Sequence, residues 1–127
     1  LGDGRPAYVE RNGISPVEVV RLISRAGGVS GLAHPGLLNR DDLIPGLVEA
    51  GLDALEVFHS AHDPGKQAHY TKLAKQHGLS ACGGSDYHGE DHHRAKFFGK
   101  IGLPKAELKA ILHRLRVIHS VVHGEER

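Results

Sequence analysis

Gly83-Gly84-Ser85-Asp86-Tyr87-His88-Gly89 follows directly on the short apolar run Leu79 to Cys82. The run reads as a buried strand, and the seven residues after it favour no regular structure. Asp86 and His88 sit two positions apart among glycines. In extended backbone, residues i and i+2 project to the same side. A carboxylate and an imidazole are thereby aimed at one point, at the C-terminal end of a strand. That is the end where α/β proteins build their sites.

Two further segments repeat the pattern upstream. Val29 to Ala33 reads as a strand ending in His34-Pro35-Gly36, and Pro35 cannot extend a sheet ladder. Leu52 to Phe58 reads as the next strand, running out into His59-Ser60-Ala61-His62-Asp63-Pro64-Gly65. Helical segments alternate with these strands. Ser15-Pro16-Val17-Glu18 is a capping box with Pro at N1, opening a helix that stops at Gly27-Gly28. Asp41 or Asp42 caps a second helix carrying Leu43, Ile44, Leu47 and Val48 and ending at Gly51. A third runs from about Gly65 to His77, with Gly78 closing it, and a last one starts at Pro104. Residues 1–13 read as an irregular lead-in, residues 89–99 as a long polar loop, and the tail 116–127 as a strand or a helix extension.

The order α-β-α-β-α-β-loop-α predicts an α/β fold, with parallel strands joined by crossover helices. The three strand exits then lie along one edge of the sheet. His34, His59, His62, Asp86 and His88 become neighbours in space. Imidazole and carboxylate suit Zn, Mn or Fe. Such an ion activates water and neutralises charge on a phosphate, while further histidines hold phosphate oxygens or protonate a leaving group.

Composition narrows the options. The chain of 127 residues suits one domain with a modest core. A net charge of +1 argues against an extended nucleic-acid groove or a membrane surface as partner. A single cysteine, Cys82, excludes an internal disulfide and fits a reducing, cytoplasmic setting. No apolar run is long enough to span a bilayer. The chain opens on Leu1 and contains no Met, as expected of part of a longer protein. It holds 11 histidines, scattered rather than tagged on.

Four stretches carry a family likeness: Pro6 to Val9, Ala26 to Gly36, Gly51 to His62, and Gly83 to Gly89. Over about residues 5–104 the chain resembles the C-terminal part of PHP-domain phosphoesterases, the polymerase-and-histidinol-phosphatase superfamily. The order and spacing look most like the bacterial branch acting on nucleoside 3',5'-bisphosphates and short 5'-phosphorylated RNA. The resemblance implies one partial domain over residues 1–127, the C-terminal segment of a distorted β/α barrel. It implies two or three divalent ions (Mn, Fe or Zn) in the intact domain, with His34, Asp86 and His88 as metal ligands. It sets His59 and His62 at the substrate phosphate, in binding and catalysis. It implies a phosphorylated small molecule or short oligonucleotide as substrate. The family's N-terminal His-x-His, and the Asp, His and bridging Glu that follow, have no counterpart here. An incomplete, non-catalytic half completed by another segment or chain therefore stands beside the hydrolase reading. A histidinol phosphatase or polymerase-associated module is the other alternative.

The remaining candidates read as structural. Glu56 lies within a strand. His69 and His77 fall on the third helix, and His92 and His93 on a solvated loop. No partner is evident for His113, His119 or His123. Cys82 has no basic neighbour in sequence and reads as a small core residue.

Overall fold

The computed structural model describes residues 13–124. The first helix, α1 (Pro16–Arg25), starts as its capping box dictates. The Ser15 hydroxyl accepts the Glu18 N–H, and the Glu18 carboxylate accepts the Ser15 N–H at 2.7 Å. Strand β1 is short, Gly31–Leu32. It is followed at once by one helical turn, α2 (Pro35–Leu38), where the sequence suggests only a strand exit. Pro35 explains this turn, since a fixed φ is preorganised for the first helical position. A 3₁₀ turn at Asp41–Leu43 leads into α3 (Ile44–Glu49), so the second predicted helix is split. Strand β2 (Ala54–His59), α4 (Pro64–Gln76) and β3 (Ser80–Gly84) follow, α4 being capped by the Asp63 carboxylate on the Lys66 N–H. The loop after β3 holds one 3₁₀ turn, Ala95–Phe97, and the chain ends in α5 (Lys105–His123). As far as His123 the tail thus continues the last helix rather than forming a strand. The predicted lead-in falls almost wholly on residues 1–12, outside the described residues.

The three strands form one parallel sheet in the order β1-β2-β3, as the alternation predicts. One side packs into the core: Leu55 and Val57 of β2 and Ala81 of β3 meet Val20, Ile44, Leu47, Leu52, Tyr70, Ala74 and Leu79. A network at the strands' N-terminal ends locks the layers. Buried Asp53 accepts the Ser30 N–H at 3.0 Å and the Ser30 hydroxyl at 3.1 Å. It also accepts Arg114 of α5 at 3.1 Å, and Arg114 reaches on to the Gly78 carbonyl at 2.6 Å. The added hydrogen bonds offset the cost of taking the Asp53 carboxylate largely out of water.

One irregularity positions the site. Glu56 pairs with Cys82, but Phe58 pairs with Gly83 and His59 with Gly84. Val57 is the extra residue of a β-bulge, a device that re-aims side chains. Counted along β3, Glu56 and His59 lie opposite residues two apart, hence on one side of the sheet. Without the bulge, three-residue spacing would put them on opposite sides. Gly83 makes the bulge possible, because a Cβ there would run into the Phe58 carbonyl oxygen.

Among the described residues, no helix is long and apolar enough to cross a membrane.

Candidate functional site

The C-terminal ends of the three strands meet as expected. His34 leaves β1, His59 ends β2, and Asp86 follows β3. The His34 and His59 rings lie 5.4 Å apart, and His59 Nε2 lies 3.4 Å from Asp86 Oδ2. His34 has φ +29° and Asp86 φ +55°. Left-handed backbone is unfavourable for residues with a Cβ and persists where its surroundings impose it. At His34 the imposition is visible: its N–H donates to Glu56 Oε2 at 2.7 Å. Glu56, expected to be merely structural, therefore sets the backbone of the residue that opens the site.

Hydrogen bonds assign the protonated ring nitrogen of His88 and of His59. His88 Nδ1 lies 2.7 Å from the Asp86 carbonyl, so it carries the proton and donates. That leaves the Nε2 lone pair open, the arrangement typical of metal-bound histidine. The side chain of His88 is largely exposed. The His34 ring makes no hydrogen bond among the described residues. His59 is buried, with its Nδ1 accepting the Ala61 N–H at 3.1 Å. Its Nε2 therefore bears the proton and faces Asp86 as a donor. Burial holds the His59 pKa below the ordinary value, against the neighbouring charge of Glu56. The ring is thus a neutral N–H donor at neutral pH.

His62 departs from expectation. It is buried, its Nδ1 donates to the Val57 carbonyl at 2.9 Å, and its Nε2 accepts the Gly36 N–H at 3.2 Å. Its ring stacks on Tyr70 at 5.2 Å. With both nitrogens engaged, His62 has none left for a phosphate or a leaving group. It is a strut tying the β2 exit to the start of α2, and the catalytic and substrate-binding role assigned to it from sequence does not fit this geometry.

Arg94, unremarked in the sequence, completes the group. Its Nη1 lies 2.7 Å from Asp86 Oδ2 and 2.6 Å from His59 Nε2, with the side chain 14% exposed. Burial acts to raise the Asp86 pKa, but the His59 hydrogen bond and the Arg94 charge outweigh it and hold the carboxyl below its usual value. Arg94 lies 35 residues beyond His59 in a segment without periodicity, and only the fold of the loop brings it here. Cys82 points from β3 toward Gly31, and burial together with the Glu56 charge pushes its thiol up to about 11. That excludes it as a nucleophile at neutral pH.

Two imidazoles and a carboxylate, from His34, His88 and Asp86, form a donor set suited to a divalent ion of the Mn, Fe or Zn type. As they stand, no three His, Cys, Asp or Glu side chains among the described residues are gathered closely enough to hold one. The Arg94 guanidinium sits against Asp86 and His59, and the His88 side chain is largely exposed.

No protein-family model matches the chain. Individual relatives do. A phosphoribosyl 1,2-cyclic phosphate 1,2-diphosphodiesterase of Eggerthella lenta is 45% identical over 73 residues, 58% of this chain and 28% of that protein. The 5'-3' exoribonuclease Rnm of Escherichia coli is 32% identical over 93 residues, 69% of this chain and 32% of the relative. A 3',5'-nucleoside bisphosphate phosphatase of Chromobacterium violaceum is 33% identical over the same length, covering 33% of the relative. A Bifidobacterium adolescentis structure described as a metal-dependent phosphoesterase superposes with TM-score 0.74 at 28% identity, covering 89% of this chain and 41% of that one. A C. violaceum structure, an amidohydrolase with bound sulfate and no metal, gives 0.68, also at 28% identity, over 92% and 42%. The matches thus span about a third of the curated relatives' length and under half of the solved structures. Over that span, the chain is homologous in sequence and fold to PHP-type phosphoesterases.

Proposed function

We propose that this chain forms part of a metal-dependent hydrolase of phosphate esters, with a nucleoside 3',5'-bisphosphate or short 5'-phosphorylated RNA as substrate. The observation that carries the reading is the meeting of His34, His59 and Asp86 at one sheet edge, in a chain whose curated relatives are named for phosphate-ester cleavage. Those three names share a phosphate carried on a sugar, which supports a sugar-phosphate substrate. Tetrahedral oxyanion binding by a relative, the sulfate-bound C. violaceum protein, agrees with this.

Asp86, His34 and His88 would hold divalent metal. When bound, it supplies an activated water and positive charge against the phosphoryl oxygens. Glu56 fixes the backbone from which His34 projects. The His59 Nε2–H donates toward the phosphate or the departing oxygen, and burial keeps that donor neutral and oriented. His62, held at both nitrogens, anchors the β2 exit loop that carries His59.

The second reading, a half-site completed by another segment or chain, has its own support. Only a partial ligand set converges among the described residues. The sheet has three strands, with β1 and β3 at its edges. On α5, Leu108, Leu112 and Leu115 are 45%, 44% and 38% exposed, an apolar row that further structure would cover.

Hydrolysis tests both readings. Adenosine 3',5'-bisphosphate, a short 5'-phosphorylated RNA, phosphoribosyl 1,2-cyclic phosphate and histidinol phosphate are offered with Mn²⁺, Zn²⁺ or chelator. Chelator-sensitive release of phosphate or nucleotide from the first two supports the proposal. Hydrolysis of histidinol phosphate alone would replace it, and inactivity without added protein segments would favour the half-site.

A further inference from the structure

We propose that Arg94 is the residue that reads the phosphate anion, and that Asp86 and the phosphate compete for its guanidinium. The inference rests on the phosphoesterase reading and adds a residue to it. Hydrogen-bond supply and demand at the strand exits carry it.

Because Ala61 fills His59 Nδ1, His59 Nε2 is a donor. It faces an Arg94 Nη1 that is also a donor, 2.6 Å away. Two N–H groups cannot satisfy each other, and both turn to a single acceptor, Asp86 Oδ2. Donors outnumber acceptors here. Arg94 Nη2 makes no hydrogen bond among the described residues. An arrangement with more N–H than oxygen, backed by a permanent positive charge, is an anion site.

The guanidinium is also held in place. The Arg94 backbone N–H donates to His92 Nδ1 at 3.3 Å, and its Nε donates to His93 Nε2 at 3.3 Å. The adjacent histidines, expected to be solvated loop residues, brace the arginine. A braced planar fork suits two oxygens of one phosphate better than a flexible ammonium does. Asp86 Oδ2 meets one arm of the fork, Nη1, at 2.7 Å. Once its carboxylate is engaged elsewhere, the fork turns to the anion.

Calorimetric titration of the chain with inorganic phosphate, in chelator, tests the competition without metal or turnover. Asp86→Asn removes the competing charge and is expected to tighten phosphate binding roughly tenfold over wild type. Adding Arg94→Gln to Asp86→Asn should abolish that gain. Arg94→Lys in the same background should recover part of it, and Arg40→Gln, at an exposed pair with Asp42, should leave it intact. Circular dichroism confirms that each variant is folded. Equal phosphate affinity with and without Arg94, or no binding by Asp86→Asn, would overturn the proposal. Failures of the two readings separate cleanly. Phosphate binding through Arg94 without hydrolysis would refute the reaction and keep the anion site. Undiminished hydrolysis by Arg94→Gln would do the reverse.

Discussion

The sheet carries an aspartate–arginine pair at each end, and the two pairs behave differently. At the N-terminal end, Asp53 accepts from Ser30 twice and from Arg114, and Arg114 continues to the Gly78 carbonyl. Ser30, Asp53 and Arg114 are tied to one another and to the Gly78 carbonyl, and none of the three sits at positive φ. At the C-terminal end, Asp86 sits at positive φ, Arg94 and His59 press two donors onto one of its oxygens, and the His34 ring and His88 Nε2 make no hydrogen bond among the described residues. The same chemical groups thus serve as a clasp at one end and as a site at the other. Residue type does not separate them; hydrogen-bond balance does.

The contrast is broken most severely at the two aspartates. Asp86→Ala is expected to lower hydrolysis about a thousandfold, since it removes a proposed metal ligand. Its urea midpoint should stay near wild type. Asp53→Ala should do the opposite, costing roughly 3 kcal/mol in urea unfolding by leaving buried Ser30 donors and Arg114 unpaired. Its turnover per folded molecule should change little. An Asp86 variant that unfolds but, where folded, still turns over would invert the comparison.

Gly83→Ala sharpens it through the bulge. The added methyl meets the Phe58 carbonyl, so about 2 kcal/mol of stability is expected to go, with His59 re-aimed and activity falling alongside. Activity retained at wild-type level despite the lost stability would show that the bulge does not position His59. The smallest effect is at Cys82. With its pKa pushed up to about 11, the thiol holds its proton throughout the neutral range, so thiolate appears only as pH climbs toward that value. Iodoacetamide at pH 8 should label it far more slowly in the folded chain than in urea. Equal rates would place the thiolate in an open, polar setting.

Much of this was legible in residue order. The capping box at Ser15 and Glu18, the helix stops at Gly51 and Gly78, and the alternation of apolar runs with helical segments all led to a parallel sheet with three loaded exits. The convergence of His34, His59 and Asp86 followed from that topology alone. The division of labour among the histidines did not. His62 became a strut because Val57 and Gly36 happen to bracket its ring, a fact of tertiary geometry. Arg94 and its braces His92 and His93 lie in a segment with no periodicity to read. The bulge at Val57 left only one local trace, the paired glycines Gly83 and Gly84 on the neighbouring strand. Pattern reveals where chains run; which nitrogen carries a proton depends on what stands opposite.

The strand exits are proposed to gather around a divalent cation. Substoichiometric Mn²⁺ added to the chain, with histidine side-chain proton resonances followed by NMR, tests it most directly. His34, His59 and His88 are expected to broaden first, His69, His77 and His113 to stay sharp, and Asp86→Ala to remove the selectivity. Uniform broadening of all histidines, or selective broadening that survives Asp86→Ala, would contradict it.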